Sequence, residues 1–505
     1  MSLFLSMSPA VATEYVDGPA LAENLTNKVS IDGINRHLVA FQRFADANEG
    51  TRMAGSGGHA KSADYVASVL TTAGFAVSKQ EFPFSYSTRV DRLSVDGTQI
   101  PIIRMYGTPS TSAGGVTAPL DVVAVDDTSG CGTSDYTPDV VGKIALIKRG
   151  GCSFAQKQVS AEASGAVGVV IYNNTVGDLD ASLGEPAGGM IPAGGVTAAA
   201  GARLAALAGQ PVTLELRVVV EERTTFNVIA ETKGGRKDNI VMLGSHLDSR
   251  WRGPGLNDNG TGSAALLETA LQLGGNAKVE NAVRFGFWSA EESGAMPPPG
   301  SIGLEGSIHY VRSLTFGQQL DIAAYLNFDM LGSPNVGYFT YDGDNSDLVG
   351  AGPGPYGSAQ IERTLTDFLK NAHGVSVEGT DLSGDSDYFP FSTVGIPVGG
   401  LFTGANEIET SAQAAKWSGI AGAPFDSCFH QACDNLGNIN REALDRNADA
   451  VAWAVGIYAT STESINGIKR GEAKETTQKA VERSSERNLT EPVGASLDLA
   501  CNDFA

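Results

Sequence analysis

The chain has 505 residues, 42% of them hydrophobic and 62 of them glycine, and 57 acidic against 35 basic side chains give a net charge of −22. That length allows more than one core, and the absence of an 18-residue apolar run excludes a membrane-spanning helix. So acidic a surface favours solubility and disfavours nucleic acid, whose phosphates it repels.

The N-terminus, LFLSMSPAVATEY, is an apolar stretch ending in the small-residue pattern Ala10-Val11-Ala12. This has the form of a signal-cleavage site without its basic leader, so residues 1–30 read as a leader and export is expected. Residues 31–111 open with helical stretches up to Phe84. In HAKSADYVASVLTTAG, Tyr65, Val66, Val69, Leu70 and Ala73 share an apolar face and Gly74 supplies a stop. Residues 112–222 are rich in Val, Ala and Gly and contain no histidine, which makes them an unlikely source of chemistry. Cys131 and Cys152 there form a plausible pair, leaving Cys501 odd, and the cysteine usage agrees with an oxidising compartment.

Residues 223–462 carry the motifs. NIVMLGSHLDS and NAVRFGFWSAEES each read as a buried parallel strand ending in ionisable residues, and LDIAAYLNFDM repeats the pattern. Ligands gather at the carboxyl ends of such strands in α/β proteins. The loop GPGLNDNGTG precedes a helical stretch from Ser263 to Leu273. The expected fold is therefore α/β, a mixed and mostly parallel sheet flanked by helices, interrupted by a β-rich insert. Further along come a helix over 359–372, a buried strand over 395–402, and an amphipathic closing helix with Leu444, Ala448, Val451, Val455 and Tyr458 on one face. Residues 463–505 are a polar tail.

Five residues in these motifs could hold metal: His246, Asp258, Glu292, Asp329 and His430. Two imidazoles and three carboxylates suit zinc and leave room for water. Chain order suggests two Zn²⁺ per chain, with Asp258 as the bridge, His246 and Asp329 on one ion, and Glu292 and His430 on the other. Glu291, adjacent to a ligand but not needed as one, is free to act as general base and then acid. Asp248 lies two residues after His246 on the same side of an extended strand, placed to accept the second ring proton. Taken singly, each such residue is more often a satisfied polar group or a helix cap; five in compatible contexts reverse that reading. His37, His59, His309 and His373 stay with the structural reading, and Asp385 and Asp387 either meet a substrate amine or cap a turn.

SHLDS, GLNDNG, SAEES, NFDM and CFHQACD, in that order, resemble the zinc aminopeptidases of metallopeptidase family M28, particularly their secreted leucine-aminopeptidase branch. The likeness runs from Ile31 to Tyr458. It implies the same ligand pairing, Glu291 as proton acceptor, Asp248 as catalytic support, a Cys428–Cys433 disulfide around His430, and peptide substrates with a free N-terminus and a large apolar first residue. Zinc ligation by the two cysteines is the alternative that the carboxylate and histidine set makes unnecessary. GKIALIKRGGCSFAQKQVSAEASGAVGVVIYNN resembles the protease-associated domain, an accessory module inserted in several exopeptidases. A monomer is expected.

Two departures stand out. Phe429 occupies the position where the family commonly has a tyrosine that donates to the developing oxyanion, and losing one such donor typically costs about 10²–10³ in rate. AMPPPGSI, residues 295–302, is an insertion whose consecutive prolines favour a stiff extended loop. Three competing readings remain on the sequence. A carboxypeptidase or dipeptidase on the same centre would need a basic residue such as Arg250 or Arg252 for a terminal carboxylate. A non-catalytic binding protein of this fold would be expected to have lost ligands, and a glutaminyl cyclase of this kind uses one zinc.

Overall fold

The computed structural model describes residues 17–179, 181–184, 191–292, 303–350 and 352–472. The signal-like N-terminus, the 295–302 insertion, Cys501 and the tail beyond Glu472 lie outside the described residues. No helix among the described residues is long and apolar enough to cross a membrane.

The chain divides into two units. In the first, Arg236–His246 pairs in parallel with Asn281–Trp288 on one side and Ile322–Phe328 on the other, and Ile322–Phe328 pairs in parallel with Val398–Phe402. Antiparallel neighbours close both sides: the segment from Val228 to Glu231 beside Asn281–Trp288, and Phe339–Tyr341 beside Val398–Phe402. The parallel core follows from composition, since every residue of Ile322–Phe328 and almost all of Asn281–Trp288 are buried, as strands covered on both faces must be.

Helices supply the cover. Gly57–Thr72 is capped by Ser56, whose hydroxyl oxygen accepts the His59 N–H, and it buries Val66 and Leu70 while Tyr65, Val69 and Ala73 pack at the margin of the same core. Gly262–Leu273 is buried through its first nine residues. The closing helix, Arg441–Tyr458, buries Leu444, Ala448, Val451, Val455 and Tyr458 completely. The strand expected over 395–402 starts only at Val398, because Gly395 takes a positive φ of 80° in the turn that precedes it.

The second unit covers described residues 85–222. Val116–Val122, Ile144–Lys148, Gly168–Tyr172 and Ala193–Val196 pair in parallel in that order, with Ile103–Arg104 antiparallel to the last. Helices Phe154–Ala163 and Ala198–Ala205 accompany them. The unit starts earlier than the composition shift at residue 112 suggests, because Leu93, Val95 and Ile102 are buried in its core. Asp96 and Gly97, both at positive φ, turn the hairpin that pairs Leu93 with Ile100. Cys131 and Cys152 form a disulfide in this unit.

Candidate metal centre and active site

The parallel register sets His246, the last residue of its strand, directly opposite Trp288, so that the two strand ends and their following loops emerge side by side. Asp329 follows Ile322–Phe328 on the next strand. The backbone carbonyl of Asp248 accepts the His246 Nδ1–H at 3.2 Å. A carbonyl can only accept, so in the neutral ring this contact fixes the tautomer and leaves Nε2 with its lone pair. That Nε2 faces Asp258 Oδ1 at 3.3 Å and Asp329 Oδ1 at 3.4 Å. His430 Nε2 faces Asp258 Oδ2 and Glu292 Oε1, each at 3.0 Å.

The five sequence candidates thus fall into two groups that share Asp258, each with its ligand atoms within 4.8 Å of one another. Asp329 Oδ1 and Glu292 Oε1 are buried without a hydrogen-bond partner. Desolvated carboxylate oxygens aimed at imidazole nitrogens are the donor set that zinc accepts, so the residues fit the metal. A third acidic group, Asp342, Asp344 and Glu362, also comes within range. There the Asp342 oxygens accept the backbone N–H groups of Ser346 and Asp347, which makes it a turn.

Asp248 acts differently from the sequence expectation. Its backbone, not its carboxylate, takes the ring proton, and Oδ1 stands 3.8 Å from Nδ1. The carboxylate instead accepts the backbone N–H groups of Glu291 at 3.3 Å and Glu292 at 3.2 Å, pinning the loop that carries the Glu pair. Burial pushes its pKa up to about 7. Glu291 Oε2 lies 3.9 Å from His246 Nε2. Burial first, with Glu292, Asp387 and Asp329 adding and His246 opposing, raises the Glu291 carboxyl well above its usual range. Burial acts against protonated His430, yet Glu292 and Asp258 lift it to about 9.

Several supporting residues had no role assigned from the sequence, although Asn259, Asn327 and Asp434 stand inside the quoted motifs. Asp434 accepts the backbone N–H groups of Asn257 and Asp258, at 2.8 and 3.0 Å, and so holds the bridging loop. The Asn259 amide joins that loop to the next strand end, donating to Phe328 O and accepting from Met330 N–H. Arg52, fully buried, donates to the carbonyls of Leu247, Pro254 and Gly255 and fixes the segment between the first two ligands. Ser386 donates to Asp329 Oδ2 at 2.7 Å and accepts from Asn327 Nδ2 at 2.8 Å. Asp385 accepts the Tyr388 hydroxyl within its own turn, and burial pushes Asp387 up to about 7.

His430 sits at a φ of +58° between Cys428 and Cys433, which form a disulfide, and the Phe429 ring stacks on its imidazole at 3.6 Å between centroids. A cleft of about 360 Å³ beside it is lined by Ile408, Pro424, Asp426, Phe429 and His430 among others. The remaining histidines are structural: His37 pairs with Glu268 at 3.2 Å, His309 stacks on Phe82, and His373 lies 3.2 Å from Asp449. Burial lowers the His373 pKa and disfavours its charged form.

Nitrogen and oxygen donors gathered at the ends of parallel strands, with a buried acid beside them, suit a metal-dependent hydrolase. Comparison with known proteins agrees. Residues 227–455 match Peptidase family M28 and residues 116–204 match the PA domain. The chain is 44% identical, over 90% of its own length and 90% of the other's, to a probable lipoprotein aminopeptidase of Mycobacterium tuberculosis. It is 38% identical to leucine aminopeptidase 2 of Trichophyton tonsurans over 88% and 87% of the two lengths. Among solved structures it resembles a zinc aminopeptidase from Bacillus subtilis, with a TM-score of 0.63, 25% identity and coverage of 87% of this chain and 98% of that one. The chain belongs to peptidase family M28 with an inserted PA domain, and it is a metallo-aminopeptidase.

Proposed function

We propose that the chain is a secreted, monomeric aminopeptidase that uses two zinc ions to remove large apolar N-terminal residues from peptides. The observation that carries this reading is the placement of Asp258, one carboxylate oxygen toward each imidazole, with Asp329 and Glu292 completing the two sets. Zinc held by these residues would supply Lewis acidity and lower the pKa of an attacking water. Glu291 is placed to take a proton on its carboxylate and to deliver it to the leaving amine. Asp248 keeps Glu291 and Glu292 in place through their backbone N–H groups.

The cleft beside Phe429, with Ile408 and Pro424 in its wall, offers room and apolar surface for a leucine-sized side chain. Arg250, one of the two basic residues that a carboxypeptidase could use, is engaged by Glu292. Two disulfides and the signal-like N-terminus support export. In this reading residues 31–84 and 223–462 are the peptidase and 85–222 an accessory module, while the helices Gly18–Thr26 and Glu463–Asn466, expected as parts of a leader and a tail, bury Leu25 and Ile465 in the peptidase core.

The test is hydrolysis of leucine p-nitroanilide before chelation, after chelation, and after zinc is restored. Activity should vanish and return, with two zincs per chain at saturation. Glu291→Gln should bind zinc as the wild type does while kcat falls about 10²–10⁴-fold. Retained turnover in that variant would remove Glu291 from the proton transfer.

A further inference from the structure

The two outer carboxylates treat their second oxygen differently. Asp329 points Oδ1 at His246, and its Oδ2 accepts a neutral hydroxyl, Ser386 Oγ, which is itself held by the Asn327 amide. Glu292 points Oε1 at His430, and its Oε2 meets a cation, Arg250 Nε, at 2.6 Å. The same Nε stands 3.5 Å from His430 Nε2, the nitrogen that would face a metal. Arg250 therefore lies against both outer ligands of one set. Its side chain keeps only 30% exposure, with Glu292 fully desolvated against it.

A guanidinium stays protonated under all ordinary conditions, so its charge cannot be switched off to admit a second cation. Resting on the two-zinc reading above, we propose that Arg250 makes the two metal positions unequal, weakening the Glu292–His430 position relative to the His246–Asp329 position. Two effects act in the same direction. The guanidinium repels a divalent ion held by its neighbours, and it draws charge from the carboxylate that must donate to that ion. Among the described residues no comparable cation touches the other outer carboxylate: Asp329 is bonded to Ser386, and His246 faces Glu291 besides its own ligands. Arg52 interacts with Asp258, which both positions share, and so does not discriminate between them. Arg250 is a positioning residue here, acting through Glu292.

The measurement is zinc affinity, not activity. The full-length protein is stripped of metal and titrated with zinc in competition with a chromophoric chelator, and bound zinc is counted by mass spectrometry. Two phases are expected, separated about tenfold or more, in line with the 10–100-fold reach of groups behind metal ligands. Glu292→Gln should remove the weaker phase and Asp329→Asn the tighter one. Arg250→Gln, which keeps a donor for Glu292 but discards the charge, should tighten the weaker phase about tenfold. Arg250→Lys, which keeps the charge, should stay near the wild type. A weaker phase that ignores Arg250→Gln, or loosens in it, overturns the inference and leaves the two-zinc reading intact. A single zinc per chain at saturation overturns both.

Discussion

At the scale of single residues, His59 shows how burial without a partner writes a pH dependence into the protein. Its ring is 1% exposed, its Nε2 has no hydrogen-bond partner, and burial, with Arg52 and Lys79 adding, lowers its pKa to about 3. In the unfolded chain it titrates near 6.5. Below that pH the unfolded state takes up a proton that the native state refuses, so the contribution is complete above 6.5 and is lost as pH falls toward 3. His59→Leu should therefore lose less stability than the wild type between pH 7 and pH 4, by a few kcal/mol at most, read from denaturant midpoints at each pH. Parallel losses in the two proteins would show that His59 does not titrate this way. The sequence made the ligands visible because each sits in a short polar tag after an apolar run. It did not expose Arg52, whose work is done through carbonyls of Leu247, Pro254 and Gly255 about two hundred residues away. Nor could spacing tell that the Asp248 backbone would take the ring proton while its carboxylate turned to the Glu pair.

At the scale of elements, the central strands were legible since unbroken runs of Val, Ile, Leu and Phe have few other uses. The segment after Gly74 was less so. Ala76–Val95 is a strand, and in its first part Phe82 and Phe84 are buried while Glu81 is exposed, an alternation hidden by Pro83 and by the helical segments before it. Within the sheet, Gly244 pairs with Gly286 on one neighbour and Asn327 on the other. A Cβ there would come within 2.2 Å of the Tyr325 hydroxyl and 2.5 Å of Trp288 Nε1. Both rings are fully buried and Tyr325 stacks on Phe391 at 3.8 Å, which leaves little room to yield. Gly244→Ala should cost about 1–3 kcal/mol of stability, measured by denaturant unfolding with zinc present. An unchanged midpoint would mean that the aromatic pair moves aside freely.

At the scale of the whole molecule, a chain with a net charge of −22 brings four of its carboxylates together at the metal centre. Asp258, Glu291, Glu292 and Asp329 converge there, and Arg250 is the one side-chain guanidinium paired directly with any of them among the described contacts. Zinc binds the native arrangement and not the unfolded chain, so loading stabilises the fold by mass action, about 4 kcal/mol per ion at a thousandfold excess over Kd. Chelation should lower the Tm of the purified protein by several degrees, and zinc should restore it. An identical Tm in both forms would indicate that the carboxylates are already balanced without metal. Domain organisation was only partly readable, because Leu93, Val95 and Ile102 join the core of the second unit ahead of any change in composition.

The hydrogen-bonded run from Asp329 through Ser386 and Asn327 continues further than the site itself. Asn327 Oδ1 accepts the Tyr325 hydroxyl at 3.0 Å, and Tyr325 in turn accepts the Trp288 indole N–H at 2.7 Å. A fluorophore thus stands, fully buried, at the far end of a run of hydrogen bonds that begins at Asp329. With Trp251, Trp417 and Trp453 replaced, the emission of Trp288 becomes a label-free optical gauge of what happens at Asp329.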